Sequence, residues 1–131
     1  MLDIHYLVAS TVLTWVTIVS AALIRTRAWN GLGVALGNRD VVPAPTPFSH
    51  RADRAAANAL ENTLLFVTLV AAARFAGAAP EDVARGAAVF FWARVAFTVV
   101  LLAGVTVVRT AVWGVSIFGL GMIAVAALRA A

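Results

Sequence analysis

One stretch of the chain carries polar residues at a spacing that could bind a charged ligand. Arg54, Asn58 and Glu61 stand at positions i, i+4 and i+7, so a helix would place them on one face, with Arg51 at its edge. This face could bind a charged small molecule, because guanidinium groups form paired hydrogen bonds with carboxylates. The spacing is equally compatible with a solvated helix start stabilised by an Arg–Glu network.

Arg94 lies deep in an apolar segment and needs a partner there. It is the only charged residue between Ala87 and Val108. An arginine at the centre of a membrane helix costs about 2.5–3.5 kcal/mol on insertion scales, so it requires a partner or a wet cavity. Glu61 is the only carboxylate expected at a similar depth. The sequence therefore predicts a Glu61–Arg94 pair, either as a structural clamp or within a functional cavity.

Two more arginines fall at the ends of apolar segments. Arg25 and Arg109 serve simply as interfacial anchors, or they join Arg54 and Arg94 around the mouth of one cavity suited to carboxylates. The chain contains no cysteine, so any thiol chemistry requires a thiol from a ligand. No metal site is expected, because the two histidines are far apart in the predicted topology.

Four apolar segments must position these residues. The predicted spans cover about residues 4–24, 51–76, 82–107 and 110–128 of a single domain, 1–131. The first is about 31 Å long as a helix, enough to cross the hydrocarbon, and is interpreted as a permanent span. A loop rich in Gly and Pro covers about residues 25–50. Ser49 is predicted to cap the second long helix, and Arg109 to lie in the last turn between helices.

Composition and charge agree with this topology. The chain is 63% hydrophobic and only 12% charged, against about 25% charged in soluble domains. The sequence thus predicts an all-α, integral membrane bundle of four transmembrane helices. The basic residues are scattered, so we expect no binding to nucleic acid.

The arginines also predict an orientation. The first and third loops and their flanks hold six of them: Arg25, Arg27, Arg39, Arg51, Arg54 and Arg109. The opposite side holds three: Arg74, Arg85 and Arg129. The positive-inside rule then makes the first and third loops cytoplasmic and places both termini on the opposite side.

Several motifs resemble those of one membrane family. Residues 51–62 (RADRAAANALEN) are similar to the second-helix signature of the MAPEG family, the membrane-associated proteins in eicosanoid and glutathione metabolism. Residues 93–98 (ARVAFT) resemble its third-helix motif, and Arg109-Thr110 resembles the Arg-Ser/Thr pair that opens its fourth helix. The Gly-rich residues 31–40 are similar to the loop of bacterial members. The resemblance extends from about residue 25 to the end of the chain.

The resemblance implies a homotrimer that binds glutathione, or another low-molecular-weight thiol, between subunits near the cytoplasmic face. It implies that Asn58 and Glu61 hold the polar groups of the thiol compound. It further implies that Arg25, Arg54 and Arg94 neutralise its carboxylates or brace the residues that do.

The implied activity is that of a glutathione transferase or peroxidase. Arg109 and Thr110 would be the catalytic residues nearest the thiol, and an apolar small-molecule substrate would arrive through the membrane lipids. Phe97 and Leu101 stand where active members often carry polar side chains, so a non-catalytic protein that binds lipid or a partner is the alternative. A small proton-coupled exporter is a further alternative, although the first helix has no carboxylate beyond Asp3.

Overall fold

The computed structural model describes residues 2–29 and 31–131, and every regular element in this part of the chain is helical. The elements are α1 (Leu2–Ala28), α2 (Leu32–Leu36), α3 (Pro47–Phe75), α4 (Pro80–Ala103) and α5 (Thr106–Ala130). The four long helices are each long and apolar enough to cross a membrane. The predicted all-α bundle of four long apolar helices is confirmed.

The start of α3 differs from the prediction. Its N-cap is Thr46, whose Oγ1 accepts a hydrogen bond from the backbone N–H of Ser49 at 3.1 Å, and Pro47 occupies the first helical turn. Proline is well suited to that position because the N–H that it lacks would have no helical partner. Ser49, which the sequence suggested as the cap, is instead a buried residue of the first turn.

The turn between α4 and α5 also lies earlier than predicted. Gly104, with φ of 81°, ends α4, and α5 begins at Thr106. Glycine adopts this left-handed backbone conformation without the steric cost that a Cβ would add. Arg109 and Thr110 are therefore in the first turns of α5 and not in a loop. The apolar pattern continues through Gly104, which is why hydropathy alone placed the turn too late.

The turns at residues 76–79 and 104–105 are short, and ion pairs join the end of α1 to the start of α3 and the end of α3 to the start of α1. The long helices therefore run in alternating directions, and the bundle has two distinct ends. We call the end that holds Ala28, Pro47, Ala103 and Thr106 the loop end. The end that holds Leu2, Phe75, Pro80 and Ala130 is the terminal end. An ion pair between Arg74 Nε and Asp3 Oδ2, 2.9 Å apart, joins α3 to α1 at the terminal end.

The core is aromatic at its centre and very tight between α4 and α5. Phe66 and Phe90 are fully buried, and their rings stack with centroids 4.3 Å apart. A Cβ added to Gly119 would lie 2.7 Å from the backbone nitrogen of Phe90, so only glycine allows this approach. Gly114 and Gly121, on the same helix, face open space instead.

Candidate functional site

A cavity of about 380 Å³ opens between α3, α4 and α5 toward the loop end. It is lined by Arg54, Ala57, Asn58, Glu61, Phe97, Leu101, Arg109, Thr110 and Trp113. We call it the cationic cavity, because its walls carry two guanidinium groups against one carboxylate. Its volume falls within the range of small-molecule sites, about 300–1,000 Å³.

Helical periodicity explains how the sequence builds the wall that α3 contributes. Arg54, Asn58 and Glu61 lie on one face of α3, as their spacing indicated, and all three line the cavity. Ala57 shares this face, and its small side chain leaves room for a ligand between the longer ones.

Arg94, a buried residue of α4, contacts this wall of α3. Its side chain is only 3% exposed, and its Nη2 donates a hydrogen bond to Asn58 Oδ1 at 2.7 Å. Its guanidinium carbon lies 4.4 Å from the centroid of the Phe97 ring, a cation–π contact that is favourable away from water. The Nη1 of Arg94 has no hydrogen-bond partner in residues 2–29 and 31–131.

The predicted Glu61–Arg94 pair is therefore wrong within the chain. Arg94 uses the amide oxygen of Asn58, which stands one helical turn before Glu61 on the same face. Glu61 is exposed and forms no ion pair with any residue that the structure describes. A neutral amide thus takes the place of the expected carboxylate, and Glu61 keeps its charge available at the cavity wall.

The contact with Arg94 also fixes the orientation of the Asn58 amide. A guanidinium group only donates hydrogen bonds, so the atom that faces it must be the amide oxygen. The amide NH2 of Asn58 is then left to donate elsewhere. Because Asn58 lines the cavity, this group can serve as a donor to a ligand oxygen.

The wall formed by α5 carries Arg109 and Thr110. Arg109 is half-buried, Thr110 is exposed, and both line the cavity. The Thr110 hydroxyl donates to the Thr106 carbonyl at 3.4 Å, which is long for a hydroxyl donor, so little is lost if the hydroxyl turns to a ligand. Neither Arg54 nor Arg109 forms an ion pair within the described ranges.

Arg25 is not brought to this cavity. Its Nη1 lies 2.6 Å from Asp53 Oδ1 in a half-exposed ion pair that joins α1 to α3, and its guanidinium carbon lies 5.6 Å from the Trp29 ring centroid. Within one chain, Arg25 therefore has a structural partner and lines none of the cavity described above. The sequence suggested neither Asp53 nor Trp29 as its partner.

A smaller cleft of about 200 Å³ adjoins the cavity at the loop end and shares three of its residues. It is lined by Arg51, Arg54, Leu101, Gly104, Val105, Thr106 and Arg109. Arg51 is held there by a hydrogen bond from its Nε to the Leu102 carbonyl at 3.2 Å. The positive charge around the cavity thus continues to the loop end of the bundle.

Some cavity residues carry no polar signal in the sequence. Phe97 and Leu101 are buried and form the floor, while Trp113 lies at the wall of α5. The sequence analysis did not single out Trp113 as a site residue. Its position four residues after Arg109 on α5 is the signal that could have placed it on the same wall.

Four helices that are long and apolar enough to span a membrane define a multi-pass integral membrane protein, with a cationic cavity between three of them. The model of the MAPEG family matches residues 5–129, and the chain belongs to this family. No curated protein matches the chain. Family membership supports a membrane function of the glutathione transferase or peroxidase type, or a related one.

Proposed function

We propose that the protein is a membrane-bound transferase or peroxidase that binds glutathione, or another low-molecular-weight thiol, in the cationic cavity. The observation that carries this proposal is a charge imbalance. Arg54 and Arg109 line the cavity without an ion-pair partner in residues 2–29 and 31–131, and Glu61 lies beside them equally unpaired. Such a wall leaves charges of both signs for a ligand to satisfy.

Glutathione has groups that match this wall. It carries two carboxylates and one ammonium group, and guanidinium groups bind carboxylates through paired, charge-assisted hydrogen bonds. Arg54 would bind a carboxylate and Glu61 the ammonium group. The amide NH2 of Asn58, oriented by Arg94, would donate to a carboxylate or peptide oxygen. Arg94 is thus a positioning residue in this proposal.

Arg109 and Thr110 would act on the sulfur. An unperturbed thiol has a pKa of about 8.5, so only a few per cent is thiolate near neutral pH. The guanidinium group of Arg109 would favour the anion, and the Thr110 hydroxyl would donate to it. The thiolate supplies the nucleophile for an apolar electrophile or peroxide dissolved in the bilayer.

The exposure of Glu61 supports assembly into the proposed homotrimer. Glu61 is exposed on α3 beside Leu60, Leu64 and Leu65, which are also exposed. A carboxylate that faces acyl chains is costly, whereas one that faces a protein cavity is not. A neighbouring subunit packed against α3 would cover this carboxylate. Because Arg25 lines none of these cavities within one chain, only a neighbouring subunit could bring it to a cavity of this kind. We further propose that the loop end is cytoplasmic, because six arginines lie near it.

Replacement of the residue nearest the thiol tests the catalytic proposal. Arg109→Ala should lower the rate of conjugation of glutathione to an electrophilic aromatic chloride by about 100-fold or more, as does removal of one charge-stabilising donor in other enzymes. The assay uses purified protein in liposomes. Arg27→Ala is the matched control, because Arg27 is exposed and lines none of the cavities described here.

Equal rates for Arg109→Ala and the wild type would refute the catalytic role of Arg109. Arg109→Lys, which keeps the charge but not the paired donors, should retain part of the activity. Circular dichroism and gel filtration of all three variants would show whether a loss of rate follows from a loss of fold.

The second candidate is a family member that binds lipid or a partner protein without catalysis. The buried Phe97 and Leu101 favour it, because the cavity floor offers no hydroxyl to a ligand. Saturable binding of glutathione together with turnover would rule it out.

A further inference from the structure

A second large cavity is a groove at the terminal end, away from the cationic cavity. It has a volume of about 580 Å³ and lies between the first turns of α4 and the second half of α5. Its lining includes Asp82, Arg85, Phe118, Met122, Val125 and Arg129. We call it the α4–α5 groove. The proposed function does not use it.

One face of α5 forms the long wall of the groove. Phe118, Met122, Val125 and Arg129 follow one another at intervals of four, three and four residues, the spacing of a single helix face. From Phe118 to Arg129 this wall is about 17 Å long. Gly121 also lines the groove, and a Cβ added there would meet no atom within 4 Å. The groove along this wall is therefore long, apolar and open.

The charges of the groove lie only at its outer end. Arg85 stands five residues after the start of α4, and Arg129 is the penultimate residue of α5. Arg85 Nη2 is 3.3 Å from Asp82 Oδ1, and more than half of each of these side chains is exposed. Two guanidinium groups and one carboxylate give the lining of the groove a net charge of +1. Because the helices end here, these groups lie near the depth of lipid headgroups.

We infer that the α4–α5 groove binds one phospholipid with a single net negative charge. Its phosphate would lie between Arg129 and Arg85, which are suited to bind phosphate oxygens. One acyl chain would follow the apolar wall past Val125 and Met122 to Phe118. The charge of the groove favours a lipid whose phosphodiester has no compensating ammonium group. Asp82 further disfavours headgroups with additional negative charge.

Native mass spectrometry of the purified protein with added lipid tests this inference. Phosphatidylglycerol is the probe, and phosphatidylcholine, which has the same phosphate but no net charge, is the comparison. The wild type should bind one phosphatidylglycerol per chain at least about tenfold more tightly than phosphatidylcholine, a difference of one charge-assisted contact. Equal binding of the two lipids would overturn the inference.

Two matched glycine variants test the location. Gly121→Leu fills the groove, whereas Gly114→Leu places the same side chain on the same helix away from it. Both glycines are exposed, and an added Cβ meets no atom within 4 Å at either. Gly121→Leu should abolish the tight phosphatidylglycerol binding, and Gly114→Leu should retain it. Retention by both variants, or loss in both, would contradict the assignment to this groove.

Charge variants test the headgroup contact. The double variant Arg85→Gln/Arg129→Gln should bind phosphatidylglycerol as weakly as phosphatidylcholine, whereas Arg27→Gln/Arg39→Gln, with the same change in net charge, should bind it as the wild type does. If Gly121→Leu instead changes the number of subunits in delipidated protein, a second copy of the chain occupies the groove and the lipid inference is wrong. Conjugation of glutathione should be unchanged by Gly121→Leu, so the two proposals can fail separately.

Discussion

The two large cavities of this protein differ in where their charges lie. In the cationic cavity, Arg54, Glu61 and Arg109 stand on the walls themselves. In the α4–α5 groove, the walls are apolar and the charged groups, Arg85 and Arg129 among them, lie only at the outer end. Charges on the walls suit a guest that is polar throughout, and charges at the rim suit an amphiphile. The distribution of charge therefore supports a different proposed class of ligand for each cavity.

The arginines also differ in their partners. Arg74 and Arg85 at the terminal end, and Arg25 at the loop end, each face an aspartate. At the loop end, Arg54 and Arg109 face the cavity with no such partner in the described residues, and Arg94 has only a neutral amide. An arginine beside a carboxylate is explained by the fold alone. An arginine that lines a cavity without an ion-pair partner has a charge available to a ligand.

The largest effect on stability should come from removing the hydrogen bond between Arg94 and Asn58 at the cationic cavity. Asn58→Leu removes the hydrogen-bond acceptor of Arg94 and leaves a charge that is only 3% exposed. Loss of the hydrogen-bond acceptor of a buried charged donor costs about 3 kcal/mol, so we expect a fall of this size in the free energy of unfolding. Thermal unfolding and denaturant titration in detergent would measure it.

The double variant Asn58→Leu/Arg94→Leu is the control. It removes the buried charge together with its partner, so it should recover much of the lost stability. Equal stabilities for the single and double variants would show that the contact between Arg94 and Asn58 does not support the cavity wall.

A smaller effect on stability should distinguish the tightly packed face of α5 from the face that lines the α4–α5 groove. In Gly119→Ala, the new Cβ would lie 2.7 Å from the Phe90 nitrogen, so α4 and α5 must move apart. Overpacking of this kind costs about 1–3 kcal/mol. Gly121→Ala, two residues away, faces open space and should be neutral or slightly stabilising, because alanine favours helix over glycine. Equal losses in the two variants would contradict the open groove.

Much of this architecture could be predicted from the sequence, because it depends on long apolar runs. Four spans follow from hydropathy, and the face shared by Arg54, Asn58 and Glu61 follows from helical periodicity. The turn at Gly104 was missed, although a glycine inside an apolar run is a known C-cap signal. Local capping chemistry, not hydropathy, decides such boundaries.

The partner of Arg94 could not be predicted in the same way. Asn58 and Glu61 lie three residues apart on one face of α3, so both were near the correct depth. Which of them meets Arg94 depends on how α3 and α4 are rotated relative to each other. That rotation cannot be read from a single sequence. The partner of Arg25 and the α4–α5 groove depend on packing between helices for the same reason.

Titration calorimetry of glutathione into detergent-purified protein tests the central claim, that a hydrophilic guest occupies the cationic cavity, most directly. The wild type should bind glutathione saturably. Glu61→Gln removes a charge from the cavity wall, and Arg94→Leu removes the group that orients Asn58. Each should weaken binding about tenfold or more, the worth of one charge-assisted hydrogen bond. No saturable heat from the wild type, or the same affinity in all three proteins, would contradict the claim.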